Sequence, residues 1–182
     1  MKFTRVNMFL LLVFVIAAVP SYVNAQKEQA LNQPIVEGKS MLGIEIGDSE
    51  SDIWKVLGFP DEIRSNFMDI PSSIGKLKVL SYGLDSHAGF FIFTRNSKVE
   101  VMEIVWSGEG IPAYKGKTTK GIGLGDSMEH VNKYYGECEI RKEMCWYKKY
   151  GISIGGEKVI TFILIASPGE LPDYLFTKQP HL

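Results

Sequence analysis

Apolar positions along the chain fall into two alternating patterns. Ile53, Val56 and Leu57 share one face of a helix, and so do Val131, Tyr134 and Tyr135. Each set is preceded by Gly-Asp-Ser and closed by glycine, Gly58 or Gly136. That is the start-and-stop grammar of a short helix. Asp48, Ser49, Asp126 and Ser127 are the expected caps, with capping-box spacing from Ser49 to Asp52 and from Asp126 to Glu129. Helices this short are marginal alone and must pack on something. Between and after them the pattern changes to runs rich in Val, Ile, Phe, Tyr and Trp. Strands are predicted over Leu77–Gly83, Gly89–Thr94 and Lys98–Ser107, with a turn at Asn96-Ser97. A second set is predicted over Glu143–Tyr150, Gly151–Ile154 and Lys158–Ser167, with a turn at Gly155-Gly156-Glu157.

The two sets are related in sequence. GIEIGDSESDIWKVLG at 43–58 and GIGLGDSMEHVNKYYG at 121–136 share seven identities in sixteen positions at an offset of 78. Further on, Tyr82 parallels Tyr147, Gly89 parallels Gly151, and Lys98-Val99 parallels Lys158-Val159. The offset falls to about 60, so the first copy carries about 18 extra residues, mostly between Ser65 and Lys76. The expected fold class is α+β: two tandem units, each a helix plus a three-stranded antiparallel meander, helices on one face of the sheet. The units span 43–114 and 121–168. A lead-in over 26–42 precedes them, a polar linker over Lys115–Lys120 joins them, and a tail over 169–182 follows. In the last strand of the first unit, Met102, Ile104 and Trp106 alternate with Val101, Glu103 and Val105. One face suffices for the helix. The other is then expected to pack on another copy or to offer a binding surface.

The N-terminus belongs to a different kind of sequence. Lys2 and Arg5 precede the unbroken apolar run Met8–Val19, then Pro20, then Val23-Asn24-Ala25. This is the pattern of a secretory signal peptide over 1–25, cleaved after Ala25. A spanning helix needs about 20 apolar residues, more than the run supplies. No Cys follows the run, so lipid attachment at an N-terminal Cys is not expected. The protein is therefore expected to be exported, periplasmic or extracellular, with no membrane span after cleavage. In that compartment Cys138 and Cys145 read as a disulfide across a short hairpin with Arg141-Lys142 at its tip. A metal or redox pair is the rival reading, without C-x-x-C to support it.

Composition narrows the function. The chain has 182 residues, 20 Lys+Arg and 21 Asp+Glu, for a net charge of −1. Such a balance argues against a nucleic-acid partner. Gly121-x-Gly123-x-Gly125 before a helix invites a phosphate-loop reading, but the third glycine is one place early for a dinucleotide fingerprint, and Asp126 sits where a phosphate would. His87, His130 and His181 are scattered and give no metal-ligand spacing. Ser49 and Ser127 are explained as caps, and no G-x-S-x-G is present. Asp61-Glu62 reads as a solvated pair. No catalytic residue, metal or cofactor is expected, so the reading is non-enzymatic. Tyr82, Phe91, Trp106, Trp146 and Tyr147 lie on predicted strands. They are either sheet packing or partner contacts.

The motif G-I-x-[IL]-G-D-S-x-x-x-[IV]-x-K-x-x-G, then an aromatic strand, G-[FI]-x-I and K-V, resembles the β-lactamase-inhibitor-protein-like repeats. It is also similar to the small outer-membrane assembly lipoproteins of the SmpA/OmlA type. The resemblance covers about 40–168. It implies a non-enzymatic binder whose tandem units form a concave sheet that grips a protein, either as an inhibitor or in envelope assembly and maintenance. The chain departs from the family pattern in two ways: only the second copy carries cysteines, and the lipidated Cys is missing. No inhibitory-loop residue can be matched. The alternative is a small-ligand or cell-wall-fragment binder using the cleft between the units.

Overall fold

The computed structural model describes residues 26–65, 76–85, 88–141, 144–169, 171–172 and 175. The expected leader over 1–25, His87, Lys142, His181 and most of the inserted stretch after Ser65 lie outside the described residues. The protein is α+β, with short helices and one large antiparallel sheet. After a small hairpin of β1 (Ser40–Met41) and β2 (Ile44–Glu45), helix α1 (Glu50–Leu57) leads into four strands. These are β3 (Glu62–Ser65), β4 (Leu77–Gly83), β5 (Ala88–Arg95) and β6 (Lys98–Trp106). Helix α2 (Met128–Tyr135) leads into β7 (Glu139–Arg141), β8 (Met144–Tyr147), β9 (Ile152–Gly155) and β10 (Phe162–Ala166). The sheet order is β3-β4-β5-β6-β10-β9-β8-β7, so the last strand of each half meets the other at the centre.

Each half therefore has four strands where three were expected. The additional ones, β3 and β7, are the outermost strands. They are short and largely charged, Glu-Ile-Arg-Ser and Glu-Ile-Arg, with too few apolar positions to show alternation. The last strand of the second half is also shorter than expected. Val159 leaves the ladder to bridge Ser127 at the start of α2, as Lys98 bridges Ser49 at the start of α1. The same bonds recur there. Gly47 N–H donates to Val99 O and Val99 N–H to Asp48 O; Gly125 N–H donates to Ile160 O and Ile160 N–H to Asp126 O. Val99 and Ile160 thus hold one place, a position away from the Lys-Val match in the sequence.

Helix caps work as a relay of two residues. Ser49 is the N-cap of α1 and forms a full capping box with Asp52. Lys55 and Ser49 together hold the exposed Asp52 carboxyl well below the usual range. Ser127 caps α2 by accepting from Glu129 N–H at 3.2 Å, so the expected Asp126–Glu129 box is replaced. Asp48 and Asp126 act one step earlier. Asp48 accepts from Glu45 N–H at 2.9 Å, and Asp126 from Gly123 N–H at 2.8 Å. They close the turn that aims the helix rather than capping it.

Both helices cover one face of the sheet. Ile53 and Leu57 of α1, with Val131 and Tyr135 of α2, bury against Phe90, Ile92, Met102, Ile104, Ile152, Ile154, Ile163 and Ile165. Ile35, Met41, Leu42 and Ile44 of the lead-in belong to the same core. Gly151, at φ 65°, shows how closely the lead-in approaches: a Cβ there would stand 2.8 Å from Gly38 Cα and 2.3 Å from Ala166 O. Lys115–Lys120 is not a free linker. Ile35 N–H donates to Lys117 O, Lys115 N–H to Leu31 O, and Thr118 is buried. Its lysines are committed too, Lys117 to the Asp126 carboxylate and Lys120 to Tyr134 O.

Candidate functional site

Burial decides among the candidate residues. Tyr82, Trp106, Trp146 and Tyr147 are all buried, and Phe91 is half-buried. Tyr82 lies under α1 and donates its hydroxyl to Gly58 O at 3.2 Å. Trp106 donates Nε1–H to Glu109 O and Trp146 donates to Gly169 O, both at 2.8 Å. Tyr147 packs 5.1 Å from Tyr135, and burial raises its hydroxyl pKa. Burial places Tyr82, Trp106, Trp146 and Tyr147 in packing, and Phe91 stays part-exposed.

Much of the sheet face away from the helices is covered as well. Val79, Phe93, Val101, Trp146, Leu164 and Ala166 form a second buried cluster, and Leu171 and Leu175 pack into it. Gly169 N–H donates to Lys148 O, which pins that segment to the rim. At the centre stands Glu103, opposite Phe91 on one side and Leu164 on the other. Burial pushes its carboxyl up to about 7. This largely enclosed acid, which keeps some exposure to solvent, was legible only as a break in an apolar alternation.

The two outer strands are different. All four residues of β3 are exposed, with Ile63 at 51%. Ile140 of β7 is 79% exposed. Phe59, just before β3, is 78% exposed, with its ring 5.1 Å from that of Trp54. Ile111 is 81% exposed in the loop after β6. The sequence reading passed over these residues. The signal that could have found the edges is the tripeptide Glu-Ile-Arg, present at 62–64 and again at 139–141. Asp61 and Glu62 are both exposed, as expected, and each has a partner: Asp61 accepts from Gly83 N–H at 2.7 Å, and Glu62 is held by Arg64.

Cys138 and Cys145 form a disulfide, with Cα atoms 5.4 Å apart, beside the β7–β8 pairing. A bond closing so short a loop contributes about 2–3 kcal/mol in the chain-entropy model. A Cys138→Ser/Cys145→Ser variant should lose that much in urea unfolding. Reductant should lower the parent to the same midpoint and leave the variant unmoved.

Two shallow grooves are formed by described residues. One, of about 460 Å³, lies beside α2 and β8 among Tyr135, Tyr147, Lys148 and Tyr150. The other, of about 360 Å³, lies between the lead-in and α1. Neither lies at the β6–β10 junction, where the expected cleft between units would be. At the glycine turn before α2, Asp126 takes the Gly123 N–H and the Lys117 ammonium, the donors an anion would use. His130 is exposed on α2, and among the described residues no group of His, Cys, Asp and Glu could hold a metal ion. No described helix is long and apolar enough to cross a membrane.

No protein-family model matches the chain, and no curated protein matches it. Solved structures overlap it in part. A cysteine-rich secretory protein from Staphylococcus aureus is 9% identical, with a TM-score of 0.45, over 77% of this chain and 48% of that one. An extracellular protein containing an SCP domain from Bacillus anthracis is 12% identical, with a TM-score of 0.40, over 67% and 44%. A candidate β-lactamase inhibitor protein from Streptococcus mutans is 10% identical, with a TM-score of 0.30, over 71% and 87%. The chain thus spans about half the length of the first two. These overlaps are too loose to transfer a function.

Proposed function

We propose that this chain is an exported, non-enzymatic module that binds a polypeptide along an outer edge of its sheet. Inhibition of an enzyme and assembly work in a bacterial envelope are the two roles such a module would serve. The observation that carries the reading is β3: paired on one side and, among the described residues, unpaired on the other, with every side chain exposed. Unpaired main-chain N–H and C=O groups select an extended polypeptide, because a second strand satisfies them in order. The leader pattern and the disulfide support export. The recurring helix-start bonds and the shared Gly-Asp-Ser support descent from a duplicated unit of one helix and four strands.

A photoactivatable residue at Ile63 tests this in cells that export the chain. The expected product is a specific polypeptide adduct at position 63 and none at Lys133, on the outer face of α2. Adducts at both positions alike, or no polypeptide adduct at 63, would sink the edge as a binding surface.

A further inference from the structure

The outer strand β3 carries its own complement. Glu62 and Arg64 lie two residues apart and so share one face. Arg64 donates from Nε and Nη2 to the Glu62 carboxylate at 2.8 and 2.9 Å. Each holds the other charged: the guanidinium lowers the Glu62 pKa, and the carboxylate raises that of Arg64. Ile63 lies on the opposite face, half exposed, with Phe59 exposed just before the strand. Native edges are blunted by short length, charged side chains, proline or a bulge. β3 is short and charged, but its two charges are opposite in sign and two residues apart, so they complement a second identical strand instead of repelling it.

We infer that β3 is a self-association strand, pairing antiparallel with β3 of a second copy of this chain so that Ile63 faces Ile63. This rests on the reading of the edge as a polypeptide-binding surface. Symmetry then selects the register. Two identical antiparallel strands are related by a two-fold axis perpendicular to the sheet, and that axis sets one residue opposite itself. An axis at Glu62 would bring two carboxylates face to face. An axis at Arg64 would oppose two guanidinium groups. Like charges directly opposite are destabilising. An axis at Ile63 sets Glu62 opposite Arg64 twice and joins the two exposed isoleucines on the other face. The bond within each strand is exchanged for the same bond across the interface, so the charges lose little while two apolar side chains leave water. The result is one continuous sheet through both copies, with α1 of each on the same side.

The experiment is sedimentation velocity over a concentration series, on the protein secreted from cells expressing the full chain. The parent should dimerise reversibly. E62R makes the strand Arg-Ile-Arg, and R64E makes it Glu-Ile-Glu. Each alone should weaken the dimer about tenfold or more. The double variant E62R/R64E should restore it, because the swapped strand is again self-complementary. A mixture of the two single variants should form a mixed dimer. Both side chains are exposed, so an unchanged circular dichroism spectrum separates lost pairing from lost folding. Ile140→Lys on the opposite edge should leave the dimer intact.

A parent that stays monomeric overturns the inference, as do single variants that dimerise like the parent, a double variant that fails to recover, or a dimer abolished by Ile140→Lys. The position-63 adduct separates this from the broader reading. A monomeric parent that still forms an adduct with a different polypeptide refutes self-pairing and keeps the edge as a binding surface. A monomer with no adduct refutes both.

Discussion

Trp146→Ala is expected to destabilise the fold by about 3–5 kcal/mol, the range for truncating a large buried aromatic. The indole is fully buried in the cluster opposite the helices, and its Nε1–H donates to Gly169 O. Truncation removes that bond and the surface on which Leu171 packs. Urea unfolding should show the loss as a lower midpoint with an unchanged slope. Phe59→Ala, at an exposed position, should move the midpoint by less than about 0.5 kcal/mol. A small effect at Trp146 with a large effect on partner binding would restore the sequence-based reading of this residue as a contact. That reading conflicts with its burial.

The second large effect is a dependence on pH that runs opposite to the usual carboxylate case. Glu103 on β6 stands between Phe91 of β5 and Leu164 of β10, and burial pushes its carboxyl from 4.5 to about 7. Below pH 4.5 the acid is protonated in both folded and unfolded chains, and it costs nothing. Between 4.5 and 7 the unfolded chain releases the proton while the folded chain holds it. Stability from this group therefore falls as pH rises, and is lost once pH passes the folded value. The loss at pH 8 is on the order of 2–3 kcal/mol. Glu103→Gln removes the titration and keeps the shape. It should match the parent at pH 4 and exceed it by that amount at pH 8, as read from urea midpoints at pH 4, 6 and 8. An equal difference at every pH would mean that Glu103 does not titrate in this window.

Much of the architecture was legible because it is written in local rules. Glycine at Gly58 and Gly136 ends a helix whatever surrounds it, and Ser49 and Ser127 cap because a hydroxyl two or three residues upstream meets a free N–H. The other six strands of the large sheet were found by their β-branched and aromatic runs. β3 and β7 were missed for the same reason in reverse. Three or four residues with one isoleucine carry no period, and only the neighbouring strand, by pairing with them, makes them strands at all. The Lys-Val match went one position astray: hydrogen bonds to the helix starts, which the sequence does not show, make Val99 and Ile160 the equivalent residues.

The candidate site was less legible still. An aromatic on a strand looks the same in sequence whether its face is covered or open. Tyr82 and Tyr147 went under the helices, and Trp146 went under a C-terminal segment whose sequence gives no sign of where it returns. By itself, then, the sequence determined what depends on near neighbours: the helix starts and stops, the long strands, the similarity of the halves and the cysteine pair. Only the tertiary structure decided which strands meet at the centre, which face is covered, and which edges stay free. Those are settled by contacts between residues far apart in the chain, where burial of apolar surface on both faces of one sheet outweighs any local preference. Among the described residues, the edge at Glu62-Ile63-Arg64 is one of the two that this burial left over, with main-chain bonds still to give.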